Sequence, residues 1–147
     1  MFSQTLEYAL RAVVCLAQVG DKAMTAQEIA KLTRVPANYL SKVLQSLARE
    51  KIIHAVRGIG GGYRLAQPAT QMSILDVVNA IDPLKRITHC PLGLDSHGTN
   101  LCPLHHRMDR VLRDAEEAFA KTMIADLLAD PTRSTPLCEI RAPGLAQ

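Results

Sequence analysis

Cysteine and histidine side chains are concentrated in one short stretch of the chain, residues 84–105. Its first part, residues 84–102, has no helical or strand period and contains Pro91, Gly93 and Gly98, so we predict a loop there. A loop this long in a small domain is usually functional or disordered. Because thiols and imidazoles bind zinc and iron, and thiols are oxidised reversibly, the composition of this Cys/His loop favours function.

Two cysteines, Cys90 and Cys102, are the first candidates for chemistry in the Cys/His loop. Pro103 predicts that a long helix begins directly after Cys102, because proline is favoured in the first helical turn. The helix dipole favours negative charge at that end. His105 follows three residues later, on the same side of the predicted helix as Cys102.

These residue types leave several kinds of site open. Zinc could be held by the two thiolates and nearby histidines in a closed tetrahedral site. The two thiols could instead form a reversible disulfide that senses oxidation, or the cysteines could simply pack. A thiol-dependent enzyme such as a thiol peroxidase is the least favoured alternative, because the sequence offers no arrangement of nucleophile, base and orienting residue.

The elements that must position this loop include an amphipathic helix predicted over about residues 36–50. Four aliphatic residues recur at helical spacing and form one apolar stripe: Leu40, Val43, Leu44 and Leu47. The opposite face carries polar residues that can meet one surface together: Asn38, Ser41, Lys42, Gln45 and Arg49. Further helices are predicted over residues 3–19, from a capping box at Thr25 to about Leu32, and from Ser73 to about Ile81.

A glycine-rich hairpin, the wing, is predicted over about residues 53–66. Ile53 to Arg57 alternates and is β-branched, Tyr63 to Leu65 is a second short run, and four glycines lie between them. A phosphate-binding loop is excluded because no helix follows Gly62. A polar-faced helix followed at once by such a hairpin is typical of a winged helix-turn-helix, in which the helix enters the DNA major groove.

Positive charge is concentrated on this same segment. Residues 31–64 contain seven Lys or Arg and one Glu, a net charge of +6, whereas the whole chain carries only +3. Such a concentration is typical of nucleic-acid binding. We therefore expect double-stranded DNA as the partner rather than a protein alone.

The wing sequence from Arg57 to Leu65 resembles the R-G-x-G-G-G-Y-x-L wing of the IscR/NsrR family of bacterial winged-helix transcription regulators. The stretches Thr5–Arg11 and Ser73–Val78 are similar to that family at the corresponding places, and the resemblance covers about residues 1–130. It implies a homodimer that binds a palindromic operator. The expected DNA contacts are Asn38, Tyr39, Ser41, Lys42, Gln45, Arg49, Arg57, Gly58, Gly60 and Arg64.

The resemblance also implies a 2Fe–2S cluster in the Cys/His loop, because sensing members of the family carry three cysteines there. Cys90 and Cys102 match the outer two, whereas the central position falls near Ser96, with His97 as the nearest substitute. Two further ligands are implied, His105 as in IscR-type members and Glu7 from the other subunit as in NsrR-type members. Zinc, or no metal, is the alternative.

The predicted helix over residues 103–129 carries a heptad-like seam. Its members are spaced alternately by four and three residues: Leu104, Met108, Val111, Ala115, Ala118, Thr122 and Ala125. Packing within its own domain would explain such a seam, but pairing with a second copy fits a DNA reader of two half-sites.

The predicted fold is mainly α with a small β-hairpin: a winged helix-turn-helix domain (residues 1–83), the loop (84–102), a long C-terminal dimerisation helix (103–129) and a tail (130–147). No apolar run approaches the ~20 residues that span a bilayer. The opening Met1-Phe-Ser-Gln lacks the basic residues of a signal peptide. We therefore expect a cytoplasmic protein without a membrane partner, whose four cysteines are reduced or bound to metal.

Overall fold

The computed structural model describes residues 2–97 and 100–130. In these ranges the chain is mainly helical with one antiparallel hairpin, as predicted. The elements are α1 (Gln4–Gln18), α2 (Ala26–Thr33), α3 (Ala37–Arg49), β1 (Ile53–Val56), β2 (Gly62–Leu65), α4 (Ile74–Ile81), α5 (Pro103–Lys121) and α6 (Ile124–Ala129). A single 3₁₀ turn, Asp95–His97, lies in the Cys/His loop.

The helices begin where their polar caps predict. Thr25 accepts a hydrogen bond from the Glu28 N–H, while the Glu28 carboxylate accepts one from the Thr25 N–H. Ser73 and Asp76 form the same reciprocal pair at the start of α4. Each box satisfies two backbone groups that a helix N-terminus otherwise leaves unpaired, so both predicted capping arrangements are confirmed.

The core surrounds α1, whose central residues from Ala12 to Leu16 are fully buried. The apolar stripe of α3 packs against it, and Ile29 of α2 and Ile124 of α6 complete the same cluster. Cys15 is one of the buried core residues, as its apolar surroundings predicted. This packing holds α3 rigidly, so its other face is presented to the outside.

The wing is fixed at its base. β1 pairs with β2 in register from Ile53 opposite Leu65 to Val56 opposite Gly62. Met24, just before α2, exchanges two backbone hydrogen bonds with Tyr63, at 2.9 and 2.7 Å. A Cβ atom on Gly62 would lie only 2.3 Å from the Met24 carbonyl oxygen, so glycine is required at this close approach.

One prediction about the C-terminal region is wrong. The single helix expected over residues 103–129 is two helices, because α5 ends at Lys121 and α6 begins at Ile124. The intervening residues pair with the segment before α4: the Ile74 N–H donates to the Thr122 carbonyl, and the Ile124 N–H donates to the Met72 carbonyl. These long-range bonds replace helical ones, so Thr122 and Ala125 do not continue the seam of α5.

The predicted tail, including Cys138, lies outside the described residues from residue 131 onward. Among the helices of residues 2–97 and 100–130, none is long and apolar enough to cross a membrane.

Candidate nucleic-acid interface and Cys/His loop

The outer face of α3 is a continuous row of exposed polar side chains. The helical repeat turns its apolar stripe into the core and leaves the opposite residues in solvent: Asn38, Ser41, Lys42, Gln45 and Arg49. Ser41 donates its hydroxyl proton to the Ala37 carbonyl at 3.1 Å, which leaves its oxygen able to accept. Amide, ammonium and guanidinium groups in one row can read base edges or phosphates.

Tyr39 differs from the other predicted DNA contacts on α3. Its hydroxyl lies 2.8 Å from the Thr5 hydroxyl, and its ring meets the Tyr8 ring edge-on at 5.3 Å. The side chain is half-buried between α1 and α3. Its contacts within the chain therefore hold the two helices together.

The tip of the wing is a tight turn built on glycines. The Gly61 N–H donates to the Gly58 carbonyl at 3.0 Å, and Gly60 has a positive φ of 73°. Both features are typical of a type II turn, which needs glycine at its third position. Arg57 precedes the turn and is exposed. Ile59, which the sequence reasoning missed, lies within the turn and is 109% exposed.

Arg64 on β2 is held by its cross-strand neighbour. Its Nε donates a hydrogen bond to Nε2 of His54 at 2.6 Å, and the two residues are paired in the strand register. Because an arginine N–H can only donate, Nε2 of His54 is the acceptor of this hydrogen bond. The exposed Arg64 side chain is thus fixed near the base of the wing rather than at its tip.

The Cys/His loop is attached to α5 by an ion-pair network. The Arg86 guanidinium donates to both carboxylate oxygens of Asp109, at 2.7 and 2.6 Å, and to Glu116 at 3.2 Å. The Ile87 N–H also donates to Asp109, at 2.8 Å. The hydrogen bond from Arg86 is the main reason that the pKa of Asp109 is lowered to about 2. The same pairing raises the pKa of Arg86.

Cys102 and His105 are brought together as their spacing predicted. Cys102 is the N-cap of α5, and Pro103 occupies the first turn. The Sγ atom of Cys102 lies 3.4 Å from Nδ1 of His105. A thiol and an imidazole at this distance share a hydrogen bond and form half of a possible metal site.

Cys90 lies in a separate turn with His97. The Gly93 N–H donates to the Cys90 carbonyl at 3.0 Å. Hydrogen bonds from the Leu94 backbone, then from the His97 side chain and the Leu92 backbone, hold the pKa of the Cys90 thiol below its ordinary value. Nδ1 of His97 is buried without a hydrogen-bond partner in the described part of the chain, which is unusual for a buried nitrogen.

The predicted cluster ligands do not converge within one chain. No group of three Cys, His, Asp or Glu side chains in residues 2–97 and 100–130 is placed to hold a metal ion. Glu7 lies on α1, where its carboxylate accepts from Arg11 Nε at 3.0 Å. A 2Fe–2S cluster needs four ligands, so the arrangement of one chain does not fit a preformed cluster site.

One face of α5 is apolar and uncovered. Leu104, Met108 and Val111 are 63%, 49% and 66% exposed, and α5 has no fully buried residue. Ala115 and Ala118 extend the same row toward the end of the helix. Several large apolar side chains in a row on one helix mark an interaction surface more often than chance exposure.

Comparisons with known proteins agree that the chain is similar to transcriptional regulators. Residues 2–130 match the model of the family named Rrf2, described as an iron-dependent transcriptional regulator. A relative from Aquifex aeolicus (strain VF5), described as an HTH-type transcriptional regulator, is 29% identical over 131 residues, covering 87% of this chain and 91% of the relative.

Two solved structures have a similar fold. IscR of T. potens superposes with a TM-score of 0.75 at 20% identity, covering 91% of each chain. CymR, the global cysteine regulator of B. subtilis, superposes with a TM-score of 0.72 at 18% identity, covering 86% of this chain and 95% of that one. At these identities the likeness concerns the fold alone.

Proposed function

The chain belongs to the Rrf2 family of transcriptional regulators, and we propose that it binds palindromic DNA as a homodimer under the control of its Cys/His loop. Its family consists of DNA-binding regulators rather than enzymes. The observation that carries the proposal is the exposed polar row of α3 directly followed by the wing. A helix in the major groove and a hairpin beside it use both features at once.

The charge distribution supports contact with duplex DNA. Lys42 and Arg49 project from the outer face of α3, and Arg57 precedes the wing tip. Contacts to phosphates position a regulator, and contacts to base edges specify its sequence. We assign Asn38, Lys42 and Gln45 to base edges, and Arg57 to the backbone or minor groove.

The homodimer is supported by the uncovered face of α5. A second copy of the same face, related by a two-fold axis, would bury Leu104, Met108 and Val111 on both subunits. Two-fold symmetry also presents two α3 helices to two half-sites about one helical turn apart.

Control by the Cys/His loop is supported by the way α5 is attached. Cys102 caps the start of α5, whereas Thr122 at its other end is bonded to Ile74. Next to this contact, the Ala125 N–H donates to the Ala69 carbonyl. Residues 69–74 follow the wing directly, so a shift of α5 caused at the loop would reach the DNA-binding elements.

The signal that controls DNA binding acts on Cys90 and Cys102. A 2Fe–2S cluster is the first candidate ligand of the Cys/His loop to test. Cys102, His105 and Cys90 have the right donor chemistry, with Glu7 of a second subunit as the fourth ligand. Such a site would require the two Cys–His pairs to come together. The alternatives are zinc bound by the same residues and a reversible disulfide between Cys90 and Cys102, and each of them also requires the two separate Cys–His pairs to come together.

DNA binding can be tested with the purified chain and a mixed-sequence duplex over a range of salt concentrations. We expect binding that weakens steeply with salt, because phosphate contacts release counterions. Arg57→Ala should weaken binding to every sequence and reduce the salt slope by about 1 if Arg57 contacts a phosphate. Arg110→Ala, a change of an exposed arginine on α5, is the matched control. Wild-type protein that binds no duplex at low salt would contradict the proposed function.

A further inference from the structure

Ile59 is the most exposed large apolar residue among the described residues. Its side chain is 109% exposed, so it contributes nothing to the core. The turn that carries it does not require isoleucine, because the turn is closed by Gly58 and Gly61 and shaped by the positive φ of Gly60. Gly, Pro, Asn, Asp and Ser dominate turns, and isoleucine is not one of these residues.

The wing presents Ile59 on a rigid support. The two strands pair in full register, and Met24 bonds to Tyr63 from the other side of β2. A Cβ atom on Gly61 would lie 2.4 Å from the Val56 carbonyl, so the chain is closely packed just below the tip. The position of Ile59 is therefore fixed before any partner arrives, which lowers the entropic cost of a contact.

The neighbours of Ile59 indicate which partner it meets. Arg57 lies two residues before it, and α3 leads into the wing through residues 50–52. The tip is therefore continuous with the surface that faces DNA. The minor groove, about 6 Å wide, admits a narrow hairpin tip, and apolar side chains such as isoleucine are used there to separate base steps.

We propose that Ile59 enters the minor groove of bound DNA as an apolar wedge and bends the duplex. This inference rests on the proposed DNA binding. The wedge gives the wing a role that phosphate contacts by Arg57 do not supply, because it favours sequences whose base steps unstack at low cost, such as TA and CA/TG.

The test compares wild type with Ile59→Ala and Ile59→Leu on mixed-sequence duplexes of about 30 base pairs, with and without a central TA step. End-to-end fluorescence transfer measures bending, and fluorescence anisotropy measures affinity. Ile59→Ala should bind about tenfold more weakly, bend the DNA less and lose the preference for the TA duplex, with an unchanged salt slope. Ile59→Leu should remain close to wild type. The fold should survive both changes, since Ile59 is fully exposed, and circular dichroism checks this.

If Ile59→Ala binds and bends both duplexes as wild type does, the wedge is wrong while DNA binding stands. If Ile59→Ala reduces the salt slope, the tip acts through phosphates instead, and the wedge is also overturned. If wild type binds neither duplex, the proposed function fails, and this inference fails with it.

Discussion

Arg86 and Asp109 join the Cys/His loop to the middle of α5 through a bidentate ion pair. The guanidinium donates to both carboxylate oxygens, at 2.7 and 2.6 Å, and the Ile87 N–H adds a third bond to the same carboxylate. The residues that lead to Cys90 are thus fixed to the helix that Cys102 caps. This Arg86–Asp109 ion pair, called the clamp below, lies at one end of the Cys/His loop, through which we propose that DNA binding is controlled.

Removing the clamp should loosen the loop without unfolding the core. Asp109→Ala removes the acceptor of the Ile87 N–H, so exchange of that amide with solvent should become about tenfold faster. Asp114→Ala is the control, because within the described residues the Asp114 carboxylate makes only a long 3.9 Å ion pair with Arg113. Equal exchange at Ile87 in wild type and in Asp109→Ala would show that the clamp does not order the loop.

The clamp also has a pH dependence of known sign. The pKa of Asp109 is lowered to about 2 in the folded chain, below about 3.9 for a free aspartate. The contribution of the Arg86–Asp109 ion pair to folding stability is therefore fully present above about pH 4 and is lost as the pH falls toward 2. An NMR titration of the Asp109 carboxyl carbon should give a midpoint near 2, and a midpoint at the ordinary value would contradict the ion pair.

Gln45 is expected to determine sequence preference. The residue is exposed in the polar row of α3, and glutamine pairs well with adenine in the major groove. Gln45→Ala should change discrimination at one base position by about 1–3 kcal/mol, measured by competition between duplexes that differ at single positions. Gln71→Ala, a change of an exposed glutamine outside α3, should leave the preference unchanged. If both variants show the wild-type preference, α3 does not read bases through Gln45.

Val111 tests the dimer. Val111→Glu places a charge on the apolar face of α5, where burial against a second copy would be costly, so the dimer should weaken about 100-fold or more. Ala120→Glu puts the same charge on the opposite side of α5 and should leave the dimer intact. Sedimentation analysis distinguishes the two. A wild-type chain that sediments as a monomer at micromolar concentration would overturn the dimer, and with it the partner's Glu7 as a ligand.

The occupant of the Cys/His loop can be identified by purification without oxygen, followed by iron, zinc and sulfide analysis. A cluster predicts coloured protein with iron and sulfide in equal amounts, and its colour should be lost in Cys90→Ala and in Cys102→Ala but kept in Cys15→Ala. Zinc in colourless protein would select the structural site. Metal-free protein that forms a Cys90–Cys102 disulfide with peroxide would select the thiol switch. Both of these results would exclude the cluster.

Local patterns predicted the local structure well. The capping boxes at Thr25 and Ser73, the glycine turn of the wing and the buried stripe of α3 all follow from spacing within a few residues. The break between α5 and α6 does not, because it depends on Thr122 meeting Ile74, which lies far away in the chain. The bond between Tyr39 and Thr5 is hidden from sequence for the same reason.

The Cys/His loop shows the same difference between contacts set by local spacing and contacts that depend on the rest of the fold. The Cys102–His105 contact follows from helical spacing, whereas the pairing of Cys90 with His97 depends on a turn that spacing does not specify. The clamp between Arg86 and Asp109 could not be read from composition. Ile59 did carry a signal that was overlooked, because an isoleucine between two glycines at a hairpin tip has no core to fill.

Selection of binding sites from a pool of random duplex DNA tests the central claim most directly. We expect enrichment of one sequence with two-fold symmetry, whose half-sites lie about 10 base pairs apart, because a symmetric dimer presents two copies of α3. Enrichment of this sequence should be lost with the double variant that carries both Lys42→Ala and Gln45→Ala, but not with the control variant Gln71→Ala. A pool that remains random after selection with the wild-type chain, or that enriches equally with the α3 variant, would contradict this account.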